Sequence, residues 1–377
     1  MIYILIVIFI LFLSIFIFWI YNIYNEVNQY FKNDFDISEL KINNSNNNKI
    51  FISIASYRDT ELLKTVKSLI YKADNPKLLK IVIYEQDDKS IENQLNNYEK
   101  SLIKILYDHY NAAKGPTWAR YLIQREYDGE EYFMQIDSHM RTVNSWDTIL
   151  KNMLKRLPNK SVLTQYPPNY DINNDENLNI NIIRSGLYIQ GFGPNDLFTR
   201  IQSDQIDINK KDSNFINLNI PFQSKAWAAC FSFSKSDILI DAPYDPYLPF
   251  LFFGEELDIT LRLFTKGWYF YSPNITVIFT TFNRSYRRTM WDDSIYYLRK
   301  LYELTSGERL RNRLGFNNQF YIGTIIDSNK YIDNFKLGNI RSIEDYKKFS
   351  NIKSFDNQLL DIKCKSFRRK TTRNLLK

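Results

Sequence analysis

Cysteine and histidine are nearly absent from this chain. Its 377 residues include two cysteines, Cys230 and Cys364, and two histidines, His109 and His139. Two cysteines cannot form a disulfide framework, and no Cys-x-x-Cys pair is present to hold zinc. These absences exclude the disulfide-rich secreted domains and the small zinc-binding domains.

Glycine-rich phosphate-binding loops are also missing. Neither Gly-x-Gly-x-x-Gly nor Gly-x-x-x-x-Gly-Lys-Ser/Thr occurs in the sequence. This argues against dinucleotide-dependent oxidoreductases and against P-loop phosphoryl transfer. A nucleotide whose diphosphate is held by a metal ion fits this chain better than one held by a glycine loop.

The first 21 residues contain no charged side chain and consist mainly of Ile, Leu, Phe and Val. As a helix, residues 1–21 are long enough to cross a hydrocarbon core of ~30 Å. Trp19 and Tyr21 fall where an interfacial aromatic belt would lie. A basic start and a small-residue cleavage site are lacking, so we predict an uncleaved single-pass anchor rather than a signal peptide.

Composition divides the rest of the chain into three parts. Residues 22–49 are predicted to be a stem or linker, since the Asn-rich run 43–48 has no periodicity and buries no face. With 44% apolar and 16% aromatic residues, the chain can build a large core, which we assign to residues 50–303. Residues 304–377 form a C-terminal extension with a basic tail. We interpret that tail as solvated or membrane-apposed rather than as a nucleic-acid surface.

Strands and helices alternate after residue 49. Apolar runs predict the strands Ile50–Ala55, Ile81–Tyr84, Ile103–Tyr107 and Tyr132–Ile136. Apolar residues at helical spacing predict helices around Leu62–Ile70, Trp118–Glu126 and Trp146–Leu154. This alternation indicates an α/β fold with a Rossmann-like, mostly parallel sheet flanked by helices, behind the N-terminal transmembrane helix.

Polar residues follow three of the predicted strands, and in such a sheet the strand ends meet at one crevice. Asp137 and His139 are two residues apart after a buried strand, so both side chains point the same way. A carboxylate and an imidazole so placed can bind one divalent metal ion. The alternative is an Asp that caps backbone amides beside an incidental His.

Five segments have the residues and the order of a known enzyme family. They are Ser53–Asp59, Gly115–Arg120, Gln135–Arg141, Tyr244–Phe250 and Phe252–Glu256. Together they resemble the N-acetylglucosaminyltransferase family that includes the Skp1 hydroxyproline-modifying enzymes. The resemblance covers about Lys49 to Trp291, and the polypeptide N-acetylgalactosaminyltransferases are more distantly similar. It implies a GT-A fold, UDP-N-acetylglucosamine or another UDP-sugar as donor, a Mn²⁺ or Mg²⁺ cofactor, and retention of anomeric configuration.

The resemblance also implies the donor-site residues. Asp137 and His139 match the metal-binding Asp-x-His, and Asp137 is further expected near the nucleotide and in the catalytic set. The segment expected to meet uridine comprises Ser56, Tyr57, Arg58 and Asp59.

Other matched positions allow two interpretations. Arg120 matches a buried basic position near the donor, but it can equally form a structural ion pair. Glu255 and Glu256 match the catalytic acidic motif beneath the sugar, and carboxylates at a helix N-terminus also interact favourably with the helix dipole. Asp87 is expected to contact the ribose, although Asp87-Asp88 can also form a turn.

The expected partners are the UDP-sugar, a protein or glycan acceptor that could carry hydroxyproline, and the membrane, but no nucleic acid. We predict a type II protein whose catalytic domain lies in the ER or Golgi lumen. Four Asn-x-Ser/Thr sequons occur, at Asn43, Asn159, Asn274 and Asn283, but a chain so rich in Asn also produces such triplets by chance. A cytosolic orientation stays open, since Lys32 and Lys41 follow the anchor. The polar segment Asn173–Ile220 is interpreted as an acceptor-side loop or lid.

One departure from the family pattern matters for the chemistry. The wider families place a second metal-binding His after the final strand, whereas Val277–Arg284 contains none. Three explanations remain: the metal has fewer protein ligands, Thr280, Thr281 or Asn283 supplies a weak oxygen ligand, or the activity is impaired. Two hypotheses follow: a membrane-anchored, metal-dependent glycosyltransferase, or a catalytically weak relative that acts as a glycan- or protein-binding module.

Overall fold

A computed structural model of the chain describes residues 2–38, 40, 47–175, 178, 185–191, 197–205, 220–316, 326–352 and 355. The predicted basic tail, Cys364 and much of Asn173–Ile220 lie outside these residues. In the described ranges the strands are β1 (Ile50–Tyr57), β2 (Leu79–Gln86), β3 (Ile103–Asp108), β4 (Tyr132–Asp137), β5 (Met140–Thr142), β6 (Ser161–Thr164), β7 (Ser185–Gly191), β8 (Arg200–Gln205), β9 (Phe222–Ser224), β10 (Phe231–Lys235), β11 (Tyr269–Ser272) and β12 (Ile278–Thr280).

The helices in the same ranges are α1 (Ile2–Lys32), α2 (Leu62–Tyr71), α3 (Asn97–Leu102), α4 (Pro116–Gln124), α5 (Trp146–Leu154), α6 (Asp237–Asp241), α7 (Glu255–Thr265), α8 (Met290–Asp293), α9 (Tyr296–Leu314) and α10 (Ile343–Ser350). Helix α2 illustrates why they form. Its apolar residues recur at helical spacing, and Leu62, Val66 and Leu69 are buried on one face.

The central sheet has eight strands in the order β3-β2-β1-β4-β10-β6-β11-β9. The first four run parallel, and β10 pairs antiparallel with both β4 and β6. Ile52, Ile54, Met134 and Ile136 from the neighbouring strands β1 and β4 are fully buried. The predicted α/β fold with a mostly parallel sheet is therefore confirmed.

The N-terminal helix is longer than the predicted anchor. It continues past Tyr21 to Lys32, and Val27, Tyr30 and Phe31 near its end are buried in a cluster with Tyr302. The Tyr30 hydroxyl donates a hydrogen bond of 2.6 Å to the carbonyl oxygen of Pro246. The first part of the predicted stem is thus helix packed on the folded unit.

Helix α9 runs through the predicted domain boundary at residue 303. Its Arg309 and Arg313 are buried against Asp245 and Asp258: Arg309 Nε lies 2.7 Å from Asp245 Oδ2, and Arg313 Nη2 lies 2.8 Å from Asp258 Oδ1. Charges so deeply buried are stable only while paired, so these contacts fix α9 to the sheet domain.

Candidate active site

A cleft of about 630 Å³ opens at the carboxyl ends of β1 and β4. Parallel pairing sets Ala55 of β1 opposite Asp137 of β4, and Tyr57 opposite Gln86 of β2. Side chains that leave these strand ends consequently share one opening, as expected for a ligand site in an open α/β sheet. The lining includes the predicted Ser56, Tyr57, Arg120, Asp137, His139, Glu255 and Glu256.

His139 is oriented by a buried carboxylate. Its Nδ1 lies 2.8 Å from Asp59 Oδ2, which also accepts a hydrogen bond of 2.6 Å from the Ser138 hydroxyl. We assign the Nδ1 proton to this contact, since the ionised carboxylate can only accept. The Nε2 lone pair then faces the cleft, 3.5 Å from Asp137 Oδ2. This is the carboxylate–histidine arrangement that prepares an imidazole to bind a cation.

Asp137 is ionised and lies among cations. Burial alone would raise the pKa of Asp137, but its neighbour His139 and the cations around it hold that pKa well below the ordinary range. Arg120 Nη2, 3.2 Å from Asp137 Oδ1, and Arg284 Nη2, 3.8 Å from Oδ2, act in the same direction. The site therefore presents a carboxylate that stays charged at every physiological pH.

The two ligands fit a divalent metal ion. Ligand atoms bonded at about 2.1 Å to one ion lie roughly 3 to 4 Å apart, and the observed 3.5 Å between Asp137 Oδ2 and His139 Nε2 falls in that range. Oxygen and imidazole nitrogen are donors that Mn²⁺ accepts. Within the described residues no third His, Cys, Asp or Glu joins them. Thr280 pairs with Met140 across the β12–β5 ladder, and its buried hydroxyl has no hydrogen-bond partner, but this residue does not line the cleft.

Glu255 is held in place by Arg120 and Tyr244. Its Oε1 accepts from Arg120 Nη1 and, at 2.7 Å, from the Tyr244 hydroxyl. Gly254 precedes it with φ of 127°, and a Cβ there would lie 2.7 Å from Phe198 Cδ2, so only glycine fits this turn. Arg120 thus bridges Asp137 and Glu255, and both interpretations of Arg120, donor site and structural ion pair, agree with its position.

Glu256 is only partly buried and faces the cleft more openly. Its Oε1 accepts a hydrogen bond of 2.9 Å from the Ala229 amide, and its Oε2 accepts one of 2.6 Å from the Tyr166 hydroxyl. Burial raises its pKa to about 7, against the lowering effect of these two hydrogen bonds. Of the acidic pair, Glu256 is the better placed to meet a sugar ring.

Only part of the segment Ser56–Asp59, at the end of β1, lines the cleft. Ser56 and Tyr57 line the cleft, and the Tyr57 hydroxyl donates 2.8 Å to Asp293 of α8. Asp59 lies instead behind the imidazole, a different place from the uridine contact that the resemblance implies.

Arg58 and Asp87 also lie away from the cleft lining. Arg58 Nη2 lies 2.9 Å from Asp88, and the guanidinium of Arg58 stacks on Tyr110 at 4.1 Å. Asp87 Oδ1 accepts a hydrogen bond from the Asp88 amide. Neither side chain lines the cleft that contains Asp137 and His139.

Arg284 and Arg287 are site residues that sequence reasoning missed. A guanidinium nitrogen of Arg284 contacts His139 Nε2 and donates 2.9 Å to the Thr281 carbonyl oxygen. Arg287 Nε lies 3.3 Å from Asp59 Oδ2. The antiparallel pairing of β5 with β12 brings these distant residues here. The sequence feature that could have revealed them is the cluster of arginines that follows β12.

Aromatic residues divide between core and cleft mouth. Trp227 and Tyr247 are buried at 2% and 0% exposure, whereas Trp291 is 40% exposed and lines the cleft. Trp291 packs edge-on against Phe252, with ring centroids 5.7 Å apart. Of these three aromatic residues, only Trp291 is placed to stack on a sugar or an acceptor.

The eight-stranded, mostly parallel sheet with Asp-Ser-His at the end of β4 makes this a GT-A-like fold. A crystal structure of GalNAc-T7 with UDP, GalNAc and Mn²⁺ shares this fold with a TM-score of 0.50 and 16% identity, over 81% of this chain and 55% of that one. A structure of S. aureus TarS 1-349 in complex with UDP-GlcNAc gives a TM-score of 0.42 and 11% identity, over 72% and 74% of the two chains. The mannosyltransferase PcManGT from Pyrobaculum calidifontis, with GDP-Man and Mn²⁺, gives 0.39 and 11%, over 75% and 69%.

The chain belongs to the glycosyltransferase (GlcNAc) family, whose model matches residues 49–100 and 89–355. The match includes both β1 and α9. No curated protein matches the sequence. The chain spans 55% of the length of GalNAc-T7.

Proposed function

We propose that this protein transfers N-acetylglucosamine, or a related sugar, from a UDP-sugar to a hydroxyl group of a protein or glycan, with retention of anomeric configuration. The observation that carries the proposal is the convergence of Asp137, His139 and Glu256 on one cleft at the carboxyl ends of β1 and β4. Membership of the glycosyltransferase (GlcNAc) family supports the transferred sugar.

The residues of the cleft divide the work of the transfer. Negative charge builds on the leaving diphosphate, and positive charge builds on the sugar ring. A divalent metal ion bound to Asp137 and His139 would supply positive charge for the diphosphate. Arg284 and Arg287, at the same edge, add fixed positive charge. Ionised Glu256 faces the ring and binds its hydroxyls or stabilises its positive charge.

The more deeply buried groups hold the donor-site side chains in position. Asp59 holds His139 by its Nδ1 proton, and Arg120 holds Asp137 and Glu255 at a fixed separation. Fixing these groups before the donor binds removes the cost of arranging them during the reaction. Ser56 and Tyr57 at the end of β1 are proposed to contact the uridine, as the family resemblance implies.

The proposal includes an N-terminal membrane anchor. The apolar helix within Tyr3–Lys32 is long enough to cross a bilayer, and residues 3–21 are exposed. A type II arrangement with a lumenal catalytic domain and an acceptor that carries hydroxyproline are the finer parts of this hypothesis.

A second candidate function is a catalytically weak glycan- or protein-binding module. Its support is the Arg284 guanidinium, which contacts His139 Nε2, the atom that a metal ion would bind. Such a module would bind a sugar nucleotide or a glycan without turning it over.

A screen of UDP-sugars separates the two candidates. The full chain in detergent is incubated with each donor, with Mn²⁺ or with EDTA, and released UDP is measured. We expect UDP release from UDP-N-acetylglucosamine that depends on metal and is lost in Asp137→Asn. Binding without release from any donor would favour the module, and release that is insensitive to EDTA would contradict the metal site.

A further inference from the structure

Three consecutive exposed apolar side chains mark the start of α9. Ile295, Tyr296 and Tyr297 are 60%, 58% and 64% exposed, and we call these residues the α9 patch. Trp291, four residues earlier, is exposed as well. A continuous apolar surface of this kind on a water-soluble domain usually indicates contact with another surface.

The patch touches the apolar N-terminal helix. The Trp19 ring packs edge-on against Tyr297, with centroids 5.5 Å apart and an interplanar angle of 89°. Because a helix rises about 1.5 Å per residue, Tyr3–Tyr21 spans roughly 28 Å, close to the thickness of a hydrocarbon core. Trp19 therefore falls at the edge of that core, and Tyr297 is held at the same level.

The domain cannot turn away from this position without breaking buried contacts. Beyond Trp19 the same helix places Tyr30 against Tyr302 of α9, with ring centroids 5.3 Å apart, and Val27 and Phe31 are buried beside them. Anchor and α9 are thus joined by a packed core rather than by a flexible linker, so the patch has a fixed orientation toward the anchor.

Charges around the patch suit a lipid headgroup layer. The Arg299 guanidinium lies 4.9 Å from the Trp291 ring and 5.6 Å from the Tyr296 ring, and the Arg288 side chain is 58% exposed. The acidic Asp293 nearby is paired with Arg288 at 2.6 Å, and its side chain is only 9% exposed. Tyrosine and tryptophan with basic residues form the usual composition of a membrane interface.

We propose that the interfacial layer of the bilayer covers the α9 patch and seats the catalytic domain against the membrane. This proposal rests on the membrane anchoring proposed above. Its consequence concerns the cleft, because Trp291 and Phe252 line both the cleft and this edge of the domain. The cleft mouth opens beside the lipid surface, and an acceptor hydroxyl carried on a membrane-attached molecule reaches it.

Depth-dependent fluorescence quenching tests the proposal on the full chain in phosphatidylcholine–phosphatidylserine vesicles. A single NBD label is attached at Tyr297→Cys in a Cys364→Ser background, where Cys230 stays buried. Matched labels go on Ile10→Cys, within the anchor, and on Tyr71→Cys, 58% exposed at the end of α2. Lipids with a nitroxide high on the acyl chain serve as the shallow quencher, and lipids with a nitroxide near the chain end serve as the deep quencher. We expect strong loss of emission at position 297 with the shallow quencher, at position 10 with the deep quencher, and at position 71 with neither.

The controls separate this proposal from the proposed anchor. Quenching at position 10 without quenching at 297 would keep the anchor and overturn the membrane-seated patch. A label at 297 that is blue-shifted but not quenched would assign the patch to another protein surface and would also overturn it. Absence of quenching at position 10 would overturn both. Circular dichroism of each variant confirms that these exposed substitutions leave the fold intact.

Discussion

Two of the buried networks of arginine and carboxylate among the described residues differ in their access to solvent. In the first, Arg120 bridges Asp137 and Glu255, and the Asp137 side chain is 22% exposed to the cleft. In the second, Arg309 and Arg313 hold Asp245 and Asp258, with all four side chains between 0% and 3% exposed. The charges of the sealed network are shut off from solvent, whereas the open network presents a charged oxygen to a ligand.

This difference separates function from stability. A buried ion pair contributes little net stability, but removal of one partner is costly because it leaves the other charge without compensation. The sealed network should consequently control folding, and the open network should control binding and catalysis. The following four predictions test this division, from the largest expected effect to the smallest.

Asp137→Asn should lower transfer by about 10³-fold or more, because it removes the charge that attracts the metal and it weakens the contact to Arg120. His139→Ala should have a comparable effect through loss of the nitrogen ligand. Initial rates with UDP-N-acetylglucosamine measure both. The thermal transition should stay near that of the native protein, and full activity of His139→Ala would show that the Asp-Ser-His is not a metal site.

Asp245→Asn should reduce the free energy of unfolding by about 3 to 5 kcal/mol, because Arg309 and Arg313 lose their shared partner inside the protein. Urea unfolding, followed by circular dichroism, measures the change. Asp88→Asn is the matched control, since the Asp88 side chain is 54% exposed and its pair with Arg58 should be worth little. Equal transitions for both variants would contradict the structural role of the sealed network.

Glu256→Gln should lower kcat by about 100-fold, the amount one well-placed electrostatic group supplies. Native activity should fall as the pH drops below about 7, because burial raises the pKa of Glu256 to about 7 and the protonated carboxyl cannot stabilise positive charge. The Gln variant should lack this dependence.

The raised pKa of Glu256 also makes the free energy of unfolding depend on pH. Unfolding returns Glu256 to its ordinary pKa of 4.5, so the folded state binds the extra proton, and stability falls as the pH rises from 4.5 through 7. Unfolding measured across this range should show a smaller decline in Glu256→Gln. A pH–rate profile that is identical in both proteins would remove Glu256 from the reaction.

Arg284→Gln should strengthen Mn²⁺ binding by about tenfold, since its guanidinium contacts the proposed ligand His139 and the repulsion between charges ~4 Å apart costs roughly 1 kcal/mol per charge pair even in a water-like dielectric. Electron paramagnetic resonance of free Mn²⁺ measures binding without turnover. Thr281→His, which restores a late imidazole, should lower the Mn²⁺ concentration needed for half-maximal activity if its ring faces the site. Unchanged Mn²⁺ affinity in Arg284→Gln would mean that this guanidinium does not compete with the ion.

The parts of the fold that local pattern determines were predictable from the sequence. The apolar run of β1 and the spacing of Leu62, Val66 and Leu69 predicted a strand and a helix where the structure has them. The end of α1 was not predicted, because Val27, Tyr30 and Phe31 are buried by contact with residues more than two hundred positions away. Such long-range burial leaves no local signature.

The candidate site shows the same limit. Spacing after a buried strand predicted Asp137 and His139, and the family resemblance implied Glu255 and Glu256; the structure brings all four to one cleft. The sequence could not show that Asp59 lies behind His139, because that contact depends on the register of β1 against β4. Tyr166, which holds Glu256, gave no signal as one of 27 tyrosines.

Calorimetric titration of UDP in the presence of Mn²⁺ tests the central claim most directly, by comparing the native protein with Asp137→Asn and Asp245→Asn. The open network should bind the metal–diphosphate, so Asp137→Asn should lose measurable affinity while it remains folded. The folded fraction of Asp245→Asn should keep native affinity. Unchanged UDP affinity in Asp137→Asn would contradict the assignment of this cleft as the donor site.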